Sequence, residues 1–292
     1  MTDVQALILG FVQGFTEWLP ISSTAHLRLV PALAGWPDPG AAFTAISQLG
    51  TLLAALVYFR TDLIGIVSRT PAGGPAPGDT ADRRLLLPIL VGTLPIVVTG
   101  ALLRHAIEHQ FRSLYVVTGA MMGFAVLLWV AERARTPRRS IDTVTVADGL
   151  VVGFGQALAL LPGASRSGTT ITAALFAGLE RAAAARFSFL LSLPAVFLAG
   201  VYELYKARHA VADSHMGRPL LLATVVAFLV GWATIHWLLH FLRRHPTFVF
   251  VVYRWLLGLA ILGLLLSGRI TATDAAHEPI APPAAVRPAR TR

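Results

Sequence analysis

Cysteine is absent from this 292-residue chain, and lysine occurs once, at Lys206. The first absence excludes disulfides, thiolate nucleophiles and cysteine-ligated metal sites. Charge of either sign is scarce as well. Only 13% of residues are Asp, Glu, Lys or Arg, 55% are hydrophobic, and mean hydropathy is +0.67. A chain with so few charges cannot wrap one water-soluble core. It reads as an all-α, polytopic membrane protein, whose helices satisfy their own backbone polar groups. A basic leader is missing too: Asp3 stands near the N-terminus, and no cleaved signal peptide is expected. The net charge of +9 comes almost wholly from arginine. In a soluble protein that excess would suggest nucleic acid. Here it fits loops facing anionic lipid, so membrane lipids are the expected partner and nucleic acid is not.

Six apolar stretches are long enough to cross a bilayer, near 43–59, 85–104, 113–131, 184–204, 218–241 and 247–267. The Pro- and Gly-rich run at 70–80 reads as a loop, as does the Arg-rich run at 132–143. Residues 1–270 form one integral domain, and 271–292, rich in Ala, Pro and Arg, are expected to be disordered. Arg60, Arg69, Arg83, Arg84, Arg133, Arg135, Arg138, Arg139, Arg243 and Arg244 would share one side. The positive-inside rule assigns that side to the cytoplasm and both termini to the opposite face.

Residues 4–34 and 147–178 do not read as simple spans. Each opens apolar, breaks at a proline (Pro20, Pro162) and resumes after a serine able to cap a new helix. That is the pattern of a re-entrant helical hairpin. The two segments also resemble each other. Gly10-Phe11-Val12-Gln13 matches Gly153-Phe154-Gly155-Gln156, and Leu19-Pro20 with Ser23 matches Leu161-Pro162 with Ser165 after a one-residue shift. Each is followed by three spans, an odd number, so the halves at about 1–131 and 145–267 would enter from opposite faces. The expected fold is six transmembrane helices plus two re-entrant hairpins in an inverted-topology repeat, with the hairpins meeting near the midplane.

Polar groups at that depth are costly, at about 2.5–3.5 kcal/mol for an acid or arginine, and point to a site. Gln13 and Glu17 are four apart and share a helix face. A carboxylate beside an amide oxygen suits a hard cation, Mg²⁺ or Ca²⁺, or Glu17 acts as a base; the alternative is a Glu capped by nearby hydroxyls. Ser22, Ser23, Thr24 and His26 follow. One serine is expected to cap the second half-helix, while a Ser–His pair three or four residues apart would make a nucleophile and its base. In the second segment, Ser165, Arg166, Ser167 and Thr170 stand at a helix start, where free N–H groups and a guanidinium suit phosphate. The bland alternative is a Gly-rich turn whose Arg snorkels to the interface. Gln48, inside an apolar span, either lines the site or bonds between helices. The six tryptophans, Trp18 among them, read as interface anchors, and Arg181 and Arg186 as topology determinants. Two opposed half-helix N-termini form an anion pocket fit for a diphosphate. The same architecture also serves secondary transporters and lipid flippases, although a Glu–Ser–His group facing an Arg is richer than anion transport needs.

Gln-x-x-x-Glu followed by Leu-Pro-Ile-Ser-Ser-Thr-Ala-His, with Pro-Gly-Ala-Ser-Arg-Ser-Gly-Thr-Thr in the second half, resembles the bacterial undecaprenyl pyrophosphate phosphatase family, also called bacitracin-resistance proteins. The likeness extends to Gln48-Leu49-Gly50 and to Arg186-Phe187-Ser188-Phe189-Leu190-Leu191. The resemblance implies metal-assisted hydrolysis of undecaprenyl diphosphate to its monophosphate, recycling the lipid carrier for peptidoglycan. It also implies a multi-pass protein of the bacterial inner membrane, a site open to the periplasm, and often a homodimer. Its motifs fall on Gln13 and Glu17, on Ser23 and His26, and on Ser165, Arg166, Ser167 and Thr170. Gln13 stands where many members carry Glu, so the metal is expected on Glu17 and substrate phosphate oxygens, with Gln13 assisting.

Overall fold

The computed structural model describes residues 1–67, 83–109, 113–134, 139–213 and 217–271. The loop expected at 70–80, residues 135–138 of the Arg-rich run and nearly all of the tail lie outside the described residues. Helices account for the architecture. In chain order they are α1 (Asp3–Glu17), α2 (Ser23–Ala34), α3 (Gly40–Tyr58), α4 (Arg60–Val67), α5 (Leu86–His109), α6 (Leu114–Arg133), α7 (Val146–Leu158), α8 (Arg166–Phe176), α9 (Arg181–Asp213), α10 (Gly217–Arg244) and α11 (Phe248–Leu266).

Five of these, α5, α6, α9, α10 and α11, are long and apolar enough to cross a membrane. The sixth expected span, at 43–59, is different: Phe43–Tyr58 and Arg60–Val67 meet at a 70° bend, so they make a sixth span only as a broken pair. Large apolar side chains on the outer faces, such as Phe11, Phe154, Leu229 and Leu256, are exposed, as a lipid-facing surface requires.

The two interrupted segments do form hairpins, α1–α2 and α7–α8, built by the same local devices. Thr2 and Thr145 each open the first helix with a reciprocal capping box, using Gln5 and Asp148. Each second helix starts at a serine with positive φ, Ser22 at 73° and Ser165 at 71°, whose hydroxyl accepts the amide N–H of Ala25 or Gly168. A non-glycine residue held there costs about 1–3 kcal/mol and persists only where its surroundings enforce it. The twin strain therefore marks both hairpin tips as built for position.

Each hairpin leans on a span from the other half: α1 packs along α10, and α7 along α5. Glycine permits the closest approach. A Cβ on Gly153 would stand 2.2 Å from the Gly92 carbonyl oxygen, and one on Gly10 2.4 Å from the Ala223 carbonyl oxygen. Backbone cannot yield as a side-chain end can. Gly153→Ala is therefore expected to destabilise by about 1–3 kcal/mol or more, read as a lower thermal midpoint in detergent.

Three ion pairs tie the ends of the bundle. Arg181 pairs with Glu132, which also accepts the Thr247 amide and hydroxyl, and so joins α6, α9 and the start of α11. Arg186 reaches Asp62 of α4 at 2.5 Å. Arg139 grips Asp148 through two bonds of 3.0 and 2.8 Å and bridges by backbone to Gly178 and Glu180, closing the base of the second hairpin. Arg181 and Arg186 thus hold acids, in keeping with a structural role and not a substrate-binding one.

Candidate active site

The first hairpin delivers Glu17 at the last residue of α1, just before the Pro20 break, with its carboxylate almost wholly buried. Every neighbour of that carboxylate is a donor. Gln13 Nε2, one helical turn back, gives 3.0 Å, and Ser23 Oγ, the first residue of α2, gives 2.7 Å. Gln48 Nε2 donates from α3. Arg166, the first residue of α8, approaches to 3.6 Å from the second hairpin. Three hydrogen bonds and the Arg166 guanidinium thus stand where water would otherwise solvate this buried carboxylate. Gln48 thus bonds between helices α3 and α1, and does so on the Glu17 carboxylate.

The hairpins touch directly. Ser167 Oγ donates to the Leu19 carbonyl at 2.8 Å, across the two tips. Ser165 Oγ caps α8 and sits 3.3 Å from Ser167 Oγ, while Thr170 Oγ1 donates back to the Arg166 carbonyl at 2.7 Å. Arg166, only partly exposed, is the residue of this segment whose charge faces the first hairpin. Thr24 is half-buried at the start of α2.

The serine question resolves by geometry. Ser22 is the cap and is buried, its hydroxyl accepting from the Ala25 amide; Ser23 is the serine whose hydroxyl meets Glu17. The expected Ser–His pair is not what forms. His26 Nδ1 lies 2.7 Å from the Ser22 carbonyl and must donate there, since a carbonyl only accepts. Its Nε2 then accepts from the Tyr253 hydroxyl at 2.6 Å, with the two rings stacked. The acceptor beside Ser23 is the Glu17 carboxylate, not the imidazole.

The sequence pattern described as Bacitracin resistance protein BacA matches residues 6–260, which include Gln13, Glu17, Ser23, His26, Gln48, Arg166 and Tyr253. The chain belongs to this family. It is 50% identical over 280 residues to the undecaprenyl-diphosphatase of Chlorobaculum tepidum, covering 92% of this chain and 99% of that protein. Against the undecaprenyl-diphosphatase of Myxococcus xanthus the identity is 48% over 292 residues, covering 97% and 98%. The protein of that name in Chlorobium chlorochromatii is 49% identical over 280 residues, covering 92% and 99%.

In this chain α11 contributes two residues that sequence reasoning passed over. Tyr253 holds His26. Its neighbour Arg254 is fully buried, and its guanidinium donates to four carbonyls: Met121 at 2.9 Å, Pro20 at 3.4 Å, Gly163 at 3.3 Å and Ala164 at 2.9 Å. Pro20 is the tip of one hairpin, and Gly163 and Ala164 the tip of the other. One side chain therefore pins both tips to α6. A lone arginine inside an apolar span was the visible signal for it. Trp18 also departs from expectation: it is no interface anchor but core, packed edge-on against Phe189 with centroids 4.8 Å apart. Trp232, Trp237 and Trp255 are exposed on the outer surface.

Gln156, the counterpart of Gln13, is fully buried with both amide atoms unpartnered, and Leu160 stands where Glu17 would. The acid belongs to the first hairpin only. Among the described residues no three His, Cys, Asp or Glu gather as a ready-made metal cage. What does suit a hard cation is narrower: the Glu17 carboxylate, and beside it the Gln13 Oε1 acceptor, buried without a partner. A cation there would need most of its oxygen ligands from elsewhere.

Proposed function

We propose that this protein is an undecaprenyl-diphosphate phosphatase, releasing phosphate from undecaprenyl diphosphate and returning the monophosphate carrier to peptidoglycan synthesis, with bacitracin resistance as a consequence. One observation carries the reading. Glu17, Ser23 and Arg166 converge from two hairpins, with a hydroxyl already donating to a carboxylate at 2.7 Å and a guanidinium 3.6 Å from it. Acid, nucleophile and cation in contact are a phosphoryl-transfer set, more than anion transport requires. The names of the relatives support the same substrate.

In this reading the terminal phosphate turns toward Arg166 and the α8 N-terminus, whose N–H groups and guanidinium offset charge gathering on the phosphoryl oxygens. Ser23 Oγ forms a bond to the terminal phosphorus as the bridging P–O bond breaks. Its proton passes to Glu17 and then to the departing undecaprenyl phosphate. Water next takes the phosphoryl group from Ser23, its proton passing through Glu17 to Ser23 Oγ as the Oγ–P bond breaks, and inorganic phosphate leaves. His26, clamped between Ser22 and Tyr253, fixes the tip that carries Ser23. Ser165, Ser167, Thr170, Ser22 and Thr24 shape the phosphate pocket through caps and cross-tip bonds. Mg²⁺ or Ca²⁺, held by Glu17 and Gln13 with substrate oxygens, would neutralise diphosphate charge. The positive-inside assignment supports a bacterial inner-membrane protein whose site opens to the periplasm.

The direct test is phosphate release from undecaprenyl diphosphate by detergent-purified protein, with Mg²⁺ or Ca²⁺ and after chelation. The expected result is turnover that falls on chelation. Absence of release, with vesicles of the same protein moving a lipid phosphate across the bilayer, would replace the phosphatase by a flippase.

A further inference from the structure

Against Glu17 lies a small, partly enclosed chamber, lined also by Trp18, Arg166, Ser167, Thr170, Ser188, Phe189 and Ser192. It offers about 10 Å³ to the centre of a water molecule, which is room for one water and no more. Most of its polar wall is already satisfied: Ser167 donates to Leu19, Thr170 to Arg166, and Ser192 to the Phe189 carbonyl. Two groups are not. Trp18 Nε1 and Ser188 Oγ are each more than nine-tenths buried and have no hydrogen-bond partner. A buried polar group with no hydrogen bond is destabilising, so two such residues on the lining of one water-sized chamber point to an occupant.

The donor and acceptor pattern selects that occupant. A cation would meet the Trp18 N–H and the Arg166 guanidinium, both of which repel it. A phosphate oxygen would press its negative charge onto Glu17. Water alone fits all four: it accepts from Trp18 or Arg166, exchanges a bond with Ser188, and donates to Glu17. We propose that this chamber holds the hydrolytic water, oriented by Trp18 and Ser188 and deprotonated by Glu17. The proposal rests on the phosphatase reading and adds the source of its second step. Ser23 and the chamber engage the same carboxylate, so Glu17 serves each in turn. After the prenyl monophosphate has left with the first proton, the chamber water forms a bond to phosphorus. The Ser23 Oγ–P bond breaks, Glu17 takes the water's proton, and that proton returns to Ser23 Oγ. Trp18 and Ser188 are positioning residues here, since they act on the water and not on the substrate.

The experiment compares wild type with Ser188→Val, which fills the chamber, Ser188→Ala, and Trp18→Phe, which deletes the N–H. Each is assayed in detergent on undecaprenyl diphosphate for kcat and KM, and by acid quench for phosphate covalently held on Ser23. The expected result is a kcat loss of about 10²-fold for Ser188→Val and about tenfold for Trp18→Phe. KM should stay near wild type, the thermal midpoint should hold, and phosphoserine should accumulate. Should Ser188→Val fail to fold, Ser188→Ala and Trp18→Phe carry the same readouts. Wild-type kcat with no accumulated phosphoserine in the folded variants overturns the chamber alone. A wild-type protein that releases no phosphate overturns the phosphatase reading and this proposal with it.

Discussion

Replacing Glu17 with Gln is expected to lower kcat by about 10²–10⁴-fold, with KM changed far less and the thermal midpoint nearly unmoved. Gln is close to isosteric and keeps one oxygen for the Ser23 hydroxyl and the Gln13 amide. Its NH2 takes the place of the oxygen that Gln48 reaches and requires the Gln48 amide to turn over and accept, so the shape of the tip survives. What disappears is the charge. A neutral amide cannot take the Ser23 proton, cannot pair with Arg166, and is a poor anchor for a divalent cation. Turnover by purified Glu17→Gln at the wild-type rate would place the base elsewhere, with His26 the next group to test.

Substituting Arg254 should act on the fold and the reaction together. Its guanidinium is the partner of four carbonyls, two of them on the tip of the second hairpin and one on the tip of the first. Arg254→Leu leaves those acceptors buried with nothing to receive, at about 1–3 kcal/mol for each one that finds no water. The loss summed over the tips is large enough that little folded protein is expected after detergent extraction. Arg254→Lys keeps a charge but offers three donors from one point, not a planar fork. It should fold less stably, and its kcat should fall by about tenfold or more, because Glu17 and Arg166 lose their common register. A lysine variant with wild-type melting and wild-type kcat would show that the tips hold themselves in place.

The sequence showed the hairpins because each break is local. Pro20 and Pro162 interrupt the helix, a serine restarts it, and Gln13 and Glu17 must share a face at four residues' spacing. The family motif then pointed to Ser23 and Arg166, and the geometry brings both side chains to Glu17. The misses have one physical character: each depends on which side of a long apolar helix faces inward. Tyr253 and Arg254 adjoin on α11, yet one reaches His26 and the other the two tips, and α11 is too uniformly apolar for periodicity to reveal it. Trp18 reads like any membrane tryptophan until the tip folds it against Phe189. The Ser23–His26 pairing failed for a subtler reason. Three residues on a helix do share a face, but the positive φ at Ser22 turns its carbonyl toward the imidazole, and Ser23 is left to Glu17. The bend between Tyr58 and Arg60 carries no proline or glycine to announce it.

The central claim is that two hairpins, each insufficient alone, make one site through Glu17 and Arg166. A double-mutant cycle on kcat/KM tests it most directly, using wild type, Glu17→Gln, Arg166→Ala and the double variant on undecaprenyl diphosphate. Groups that act as a unit lose their effect together. The double variant should therefore be hardly slower than the worse single one. If the two losses instead multiply in full, the residues work independently and the shared site is wrong.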